Sequence, residues 1–123
     1  METIQSNKLI AEFMGLEQWN ESYYKHPNIF YSHYKESPTQ VHFENLQYHT
    51  SWDWLMPVVQ RIECTLTDNK YNSDNFFNVA IEVFECNING VDTSINISHN
   101  AQTKIKATYE AVVEFIKEYN KQN

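Results

Sequence analysis

The chain has 123 residues, 41% of them apolar and 15% aromatic, with 9 Lys and Arg against 16 Asp and Glu for a net charge of −7. That length fits one domain, and the aromatic content excludes a disordered chain. The acidity excludes a direct phosphate-backbone binder, which needs clustered Lys and Arg to displace counterions.

In chain order, the first signal is a helix over residues 3–14. Ser6 can cap it, Leu9, Ile10, Phe13 and Met14 fall on one face, and Gly15 is placed to stop it. Residues 16–49 hold no single period and are punctuated by His26-Pro27 and Ser37-Pro38, so the reading is a loop with short strands near Ile29–Tyr34 and Gln40–Phe43. Eight aromatics lie in this stretch, from Trp19 to Tyr48, which is too much apolar area to leave in water. A second helix is signalled at Thr50-Ser51, where Thr50 and Asp53 have capping-box spacing ahead of Trp54, Leu55, Val58, Val59 and Ile62. Pro57 in its second turn predicts a kink.

After a polar connector, Asn69–Asn75, the residues Phe77, Val79, Ile81 and Val83 alternate with Asn78, Ala80, Glu82 and Phe84, as in a strand with one buried face. Val91, Thr93, Ile95 and Ile97 alternate in the same way. A three-residue loop of Ile88, Asn89 and Gly90 would join the two as a hairpin, pairing Glu85 with Thr93, Val83 with Ile95 and Ile81 with Ile97. The last helix is expected from Asn100 or Ala101 to about Tyr119, on the stripe Ile105, Tyr109, Val112, Ile116 and Tyr119. The whole reads as a single α+β domain over residues 1–123, three helices packed on an antiparallel sheet that contains a hairpin in the C-terminal half.

The chemistry-bearing residues argue for binding over turnover. Cys64 and Cys86 lie 22 apart with no CxxC and read as small buried hydrophobes. His26, His33, His42 and His49 share the irregular stretch at spacings of 7, 9 and 7, which match no local metal-ligand pattern. With only Gly15 and Gly90, there is no phosphate-cradling loop and no nucleophile elbow. Glu82 and Glu85 are spaced to fall on opposite faces of a strand, unsuited to paired acid–base work. No catalytic residue, metal or cofactor is therefore expected. No apolar run reaches the roughly 18 residues of a membrane span, and no secretory signal opens the chain, so the expected compartment is cytoplasmic.

Two surfaces remain as candidate partner-binding sites. Residues 63–100 carry six carboxylates against Lys70 alone, and Asp74, Glu82 and Asp92 are expected to face solvent, where they would attract a basic partner. Tyr23, Tyr24, Tyr31 and Tyr34 offer the area and polar tips found in interface hot spots, or else serve the core. A nucleotide sponge, with aromatics stacking a base, is the competing class. Arg61 is the sole arginine and Lys25, Lys35 and Lys70 are scattered, which counts against that class because phosphates require gathered cations.

Three stretches carry a resemblance: Asn7–Gly15 (NKLIAEFMG), Tyr48–Val59 (YHTSWDWLMPVV) and Ala111–Ile116 (AVVEFI), 27 residues in all. Together they resemble a family of small proteins from phages, prophages and mobile elements of Bacteroidetes, similar in the first two motifs to the phage ABA-sandwich domain. The resemblance implies the cytoplasm of a bacterial host and extends to anti-CRISPR inhibitors of Cas13b-type effectors. By that analogy the partner is a host protein, an RNA-guided nuclease with its guide RNA, bound without catalysis through acidic and aromatic surfaces. A phage accessory role is the remaining alternative.

Overall fold

Gly15 ends the first helix, α1 (Glu2–Phe13), by taking up the left-handed backbone region at φ +77°. Its N–H donates to the Glu12 carbonyl at 3.0 Å and the Leu16 N–H to the Ala11 carbonyl at 3.0 Å, the paired bonds of a Schellman stop. These features belong to a computed structural model, which describes residues 2–18, 23–26, 39–64, 77–90 and 95–122 and divides the chain into two units, residues 1–46 and 47–123. Ser6 lies inside α1 and does not cap it, because Glu2 to Gln5 contain no helix breaker and supply the first turn.

In the first unit α1 is followed by β1 (Glu17–Gln18), β2 (Tyr23–His26) and β3 (Thr39–His42), an antiparallel sheet in the order β1-β2-β3, and by a 3₁₀ turn at Phe43–Asn45. Asn7, Ile10 and Ala11 form the buried stripe of α1. Asn7 Nδ2 donates to the Leu46 carbonyl at 3.0 Å, so a buried amide meets a buried backbone oxygen. The Lys8 ammonium sits 5.1 Å from the Phe43 ring centroid, a cation–π contact. The strand expected at Gln40–Phe43 is present as β3, whereas the one expected at Ile29–Tyr34 lies outside the described residues.

The second unit opens with α2 (Trp52–Glu63), whose buried residues are Trp54, Leu55, Val58, Val59 and Ile62, the stripe read from spacing. Its N-cap is Ser51, with no side-chain cap bond, so the Thr50–Asp53 capping box does not form. Thr50 instead belongs to a turn in which the Thr50 and Ser51 N–H groups both donate to the Gln47 carbonyl, and the Ser51 carbonyl receives the first helical bonds, from Trp54 and Leu55. The helix continues through Pro57.

The sheet of this unit is a meander, β4 (Phe77–Ile81), β5 (Glu85–Gly90) and β6 (Asn96–Asn100), antiparallel throughout. The C-terminal-half hairpin exists, but its reversal and register differ from expectation. The chain turns at Glu82–Glu85 and not at Ile88–Gly90; Ile81 pairs with Cys86, Ile88 with Ile97, and Glu85 with Asn100. The reason is burial. This register stacks Val79, Ile88 and Ile97 in one row, whereas the expected turn would place Ile88, here fully buried, in a loop.

The last helix, α3 (Lys104–Gln122), starts later than expected because Asn100 closes β6 and the Ala101 N–H donates to the Phe84 carbonyl at 3.0 Å. Thr103 caps it, its Oγ1 accepting from the Lys106 N–H at 3.2 Å. Its buried face is Ala107, Thr108, Ala111, Val112, Val113, Phe115 and Ile116. Ile105, Tyr109 and Tyr119 from the expected stripe lie half-buried at its margin. Phe115 meets Phe77 edge to face at 4.7 Å, joining α3 to the sheet. The fold class is α+β, three helices with antiparallel sheet.

Candidate functional site

The β4–β5 turn is where a large apolar surface meets solvent. The Glu82 N–H donates to the Glu85 carbonyl at 2.7 Å, which closes the reversal, and leaves Val83 and Phe84 at its apex, 63% and 58% exposed. No residue here favours a turn: Glu-Val-Phe-Glu has no Gly, Pro, Asn or Asp, and β-branched and aromatic side chains prefer strands. A position where local preference loses and apolar area stays wet is where function is expected. Glu82 is exposed beside the apex, and Glu85 is half-buried, its Oε2 accepting from Ser98 Oγ at 3.3 Å. The Phe84 carbonyl accepts from Ala101, so the turn is tied to the strand-to-helix connection behind it. The result is an anchored apolar tip between two carboxylates.

A second cluster sits between β6 and α3. The His99 imidazole hydrogen-bonds through Nε2 to Glu114 and places Nδ1 3.7 Å from Glu110. Glu110 and Glu114 are one helical turn apart, so α3 presents both carboxylates to one ring. Beside His99 in the ladder is Cys86, fully buried, with a thiol pushed up to about 11 by burial and opposed by a hydrogen bond with Thr108. A thiol held protonated inside the core is unsuited to nucleophilic work. Cys64 corrects the expectation for both cysteines: it is exposed, one residue past the end of α2 and beyond the buried stripe that closes with Ile62.

Family models, curated proteins and solved structures provide no match to this chain.

Of the residues singled out in the sequence, Glu82 is exposed as expected, while Asp74, Asp92, Tyr31 and Tyr34 lie outside the described residues. Tyr23 and Tyr24 fall in β2, opposite His42 and Val41. Among the histidines, His26 pairs with Thr39 in the sheet, His42 Nδ1 accepts from the Glu44 N–H at 3.2 Å, His49 lies 6.0 Å from the Tyr109 ring, and His33 is outside the described residues. Among the described residues no three His, Cys, Asp or Glu side chains are arranged to hold a metal ion, and no helix is long and apolar enough to cross a membrane.

Sequence reasoning passed over Val83, Phe84 and His99. The alternation from Phe77 ran through Val83 and Phe84 without a break, so period alone could not mark the turn. His99 stands apart from the other four histidines, and its carboxylate partners arrive only when α3 folds back over β6.

Proposed function

We propose that this chain works as a protein-binding module, with Val83 and Phe84 as the apolar anchor and Glu82 as a steering charge against a basic surface. The observation that carries the reading is the exposed pair at a turn whose own residues disfavour it. Burying an aromatic of this size is worth roughly 1.5–3 kcal/mol, and a carboxylate at the rim raises association rate and selects for basic partners. The wider charge supports the same partner: the net −7 repels acidic surfaces and nucleic acid while favouring cationic ones.

The resemblance to mobile-element proteins narrows the partner to a host defence effector, with a Cas13b-type nuclease and its basic guide channel as the first to test. An immobilised chain incubated with guide-loaded effector should retain it at low ionic strength and release it as salt rises, with retention lost in Phe84→Ala. No retention at low salt would remove this partner from consideration.

A further inference from the structure

The peptide group between Asn89 and Gly90 is held from both sides. The Glu82 N–H bond to the Glu85 carbonyl sets the phase of the β4–β5 ladder, and bonded pairs alternate along antiparallel strands, so Asn89 exchanges its backbone bonds with Asn78. Gly90 bonds to the other flank: its N–H donates to the Ile95 carbonyl at 3.3 Å. The Asn89 side chain lies on the sheet face opposite the buried Ile88, exposed in a row with Asn78 and Asn96, which are exposed too.

Asparagine is chemically labile, most of all before glycine, which has no Cβ to obstruct the approach of its nitrogen to the preceding carboxamide. The two glycines of this chain follow Met14 and Asn89, so it has one Asn-Gly step. Closing the imide ring brings the Gly90 nitrogen onto Cγ of Asn89 by rotation about the Asn89 Cα–C bond. In a strand, a ψ of about +135° turns that nitrogen away from the side chain. The rotation swings the whole peptide plane, so it breaks the bond from Asn78 to the Asn89 carbonyl and the bond from Gly90 to Ile95 together.

We infer that Asn89 is a deamidation site gated by this ladder: the closed sheet protects it, and opening of the Gly90 end of β5 commits it to a one-way change. In the reaction the Gly90 nitrogen gives its proton to solvent and bonds to Cγ, the Cγ–Nδ2 bond breaks, and ammonia leaves with a proton taken from solvent. Water then opens the imide. Attack at Cγ breaks its bond to the Gly90 nitrogen and leaves Asp; attack at the backbone carbonyl leaves isoaspartate, whose main chain runs through the side chain and is longer by a methylene. Asp puts a negative charge between Asn78 and Asn96. Isoaspartate lengthens the central strand between two bonded pairs, so Asn78/Asn89 and Gly90/Ile95 can no longer both close.

Peptide mapping by mass spectrometry of the full chain tests this, in native buffer and in urea at the same mildly alkaline pH, with Asn89→Gln alongside. In urea Asn89 should convert before any other asparagine, to a mixture of Asp and isoaspartate, and Asn89→Gln should lack that early conversion. In native buffer conversion at Asn89 should be at least about tenfold slower and should follow amide exchange at Gly90, since both require the same local opening. The isoaspartate product, isolated and returned to native buffer, should have lost exchange protection at Gly90. Equal rates at Asn89 in the two conditions, an earlier conversion of another asparagine in urea, or an isoaspartate product that keeps its protection at Gly90 would each overturn the inference.

Discussion

The Glu82 N–H meets the Glu85 carbonyl at 2.7 Å, and between those two residues the chain spends its turn on Val83 and Phe84, both more exposed than buried. The pairing sets three things at once: where the hairpin reverses, which faces of β4 and β5 point to the core, and which apolar side chains are left outside.

Because Phe84 contributes little to the core, Phe84→Ala should change stability by less than about 0.5 kcal/mol in thermal or chemical unfolding, while weakening partner binding by about 2 kcal/mol, near thirtyfold. A loss of stability larger than the loss of binding would make the residue structural.

Glu82→Gln should act on rate. Its expected signature is slower association and a shallower salt dependence with nearly unchanged dissociation. Stopped-flow or surface-based kinetics at two ionic strengths separates these effects.

The two cysteines should behave as opposites. Cys64, exposed, should react with a thiol reagent in the native protein, and Cys86, buried, only as the unit unfolds, so modification has one fast and one slow phase. The thiol of Cys86 is raised from 9.0 to about 11, so the folded state holds its proton longer than the unfolded one. The stability this provides is complete below pH 9 and is lost as pH rises through about 11, up to roughly 3 kcal/mol. Cys86→Ala should flatten that alkaline slope in unfolding curves.

In the first unit, Gly15→Ala tests the left-handed stop. A Cβ at Gly15 meets nothing within 4 Å, so the cost is backbone strain alone, about 1 kcal/mol. In the second unit, Phe115→Ala removes the contact with Phe77 at 4.7 Å and should cost about 3–5 kcal/mol.

What the sequence made legible follows from the range of each interaction. The α2 stripe from Trp54 to Ile62 and the stop at Gly15 are local: helical period and a φ requirement are written within a few residues. α3 starts later than its own pattern predicts because Asn100, opposite Glu85 in the ladder, and Ala101, whose N–H donates to the Phe84 carbonyl, are helix-compatible by themselves but held by the strand. The hairpin register is likewise set by contacts distant in sequence. Asn89-Gly90 is a strong turn signal, yet stacking Ile88 on Ile97 and Val79 outweighs it and keeps Asn89 and Gly90 in β5. At the candidate site, Glu82 could be read from charge, whereas Val83 and Phe84 could not, since their exposure depends on where the turn falls.

The most direct test of the binding role is titration calorimetry of guide-loaded effector into the wild-type chain and into the double variant Val83→Ser, Phe84→Ser. The expected result is a saturable, salt-sensitive heat with wild type that disappears in a double variant whose circular dichroism and melting temperature are unchanged. Equal affinity for both proteins would contradict the role assigned to the tip.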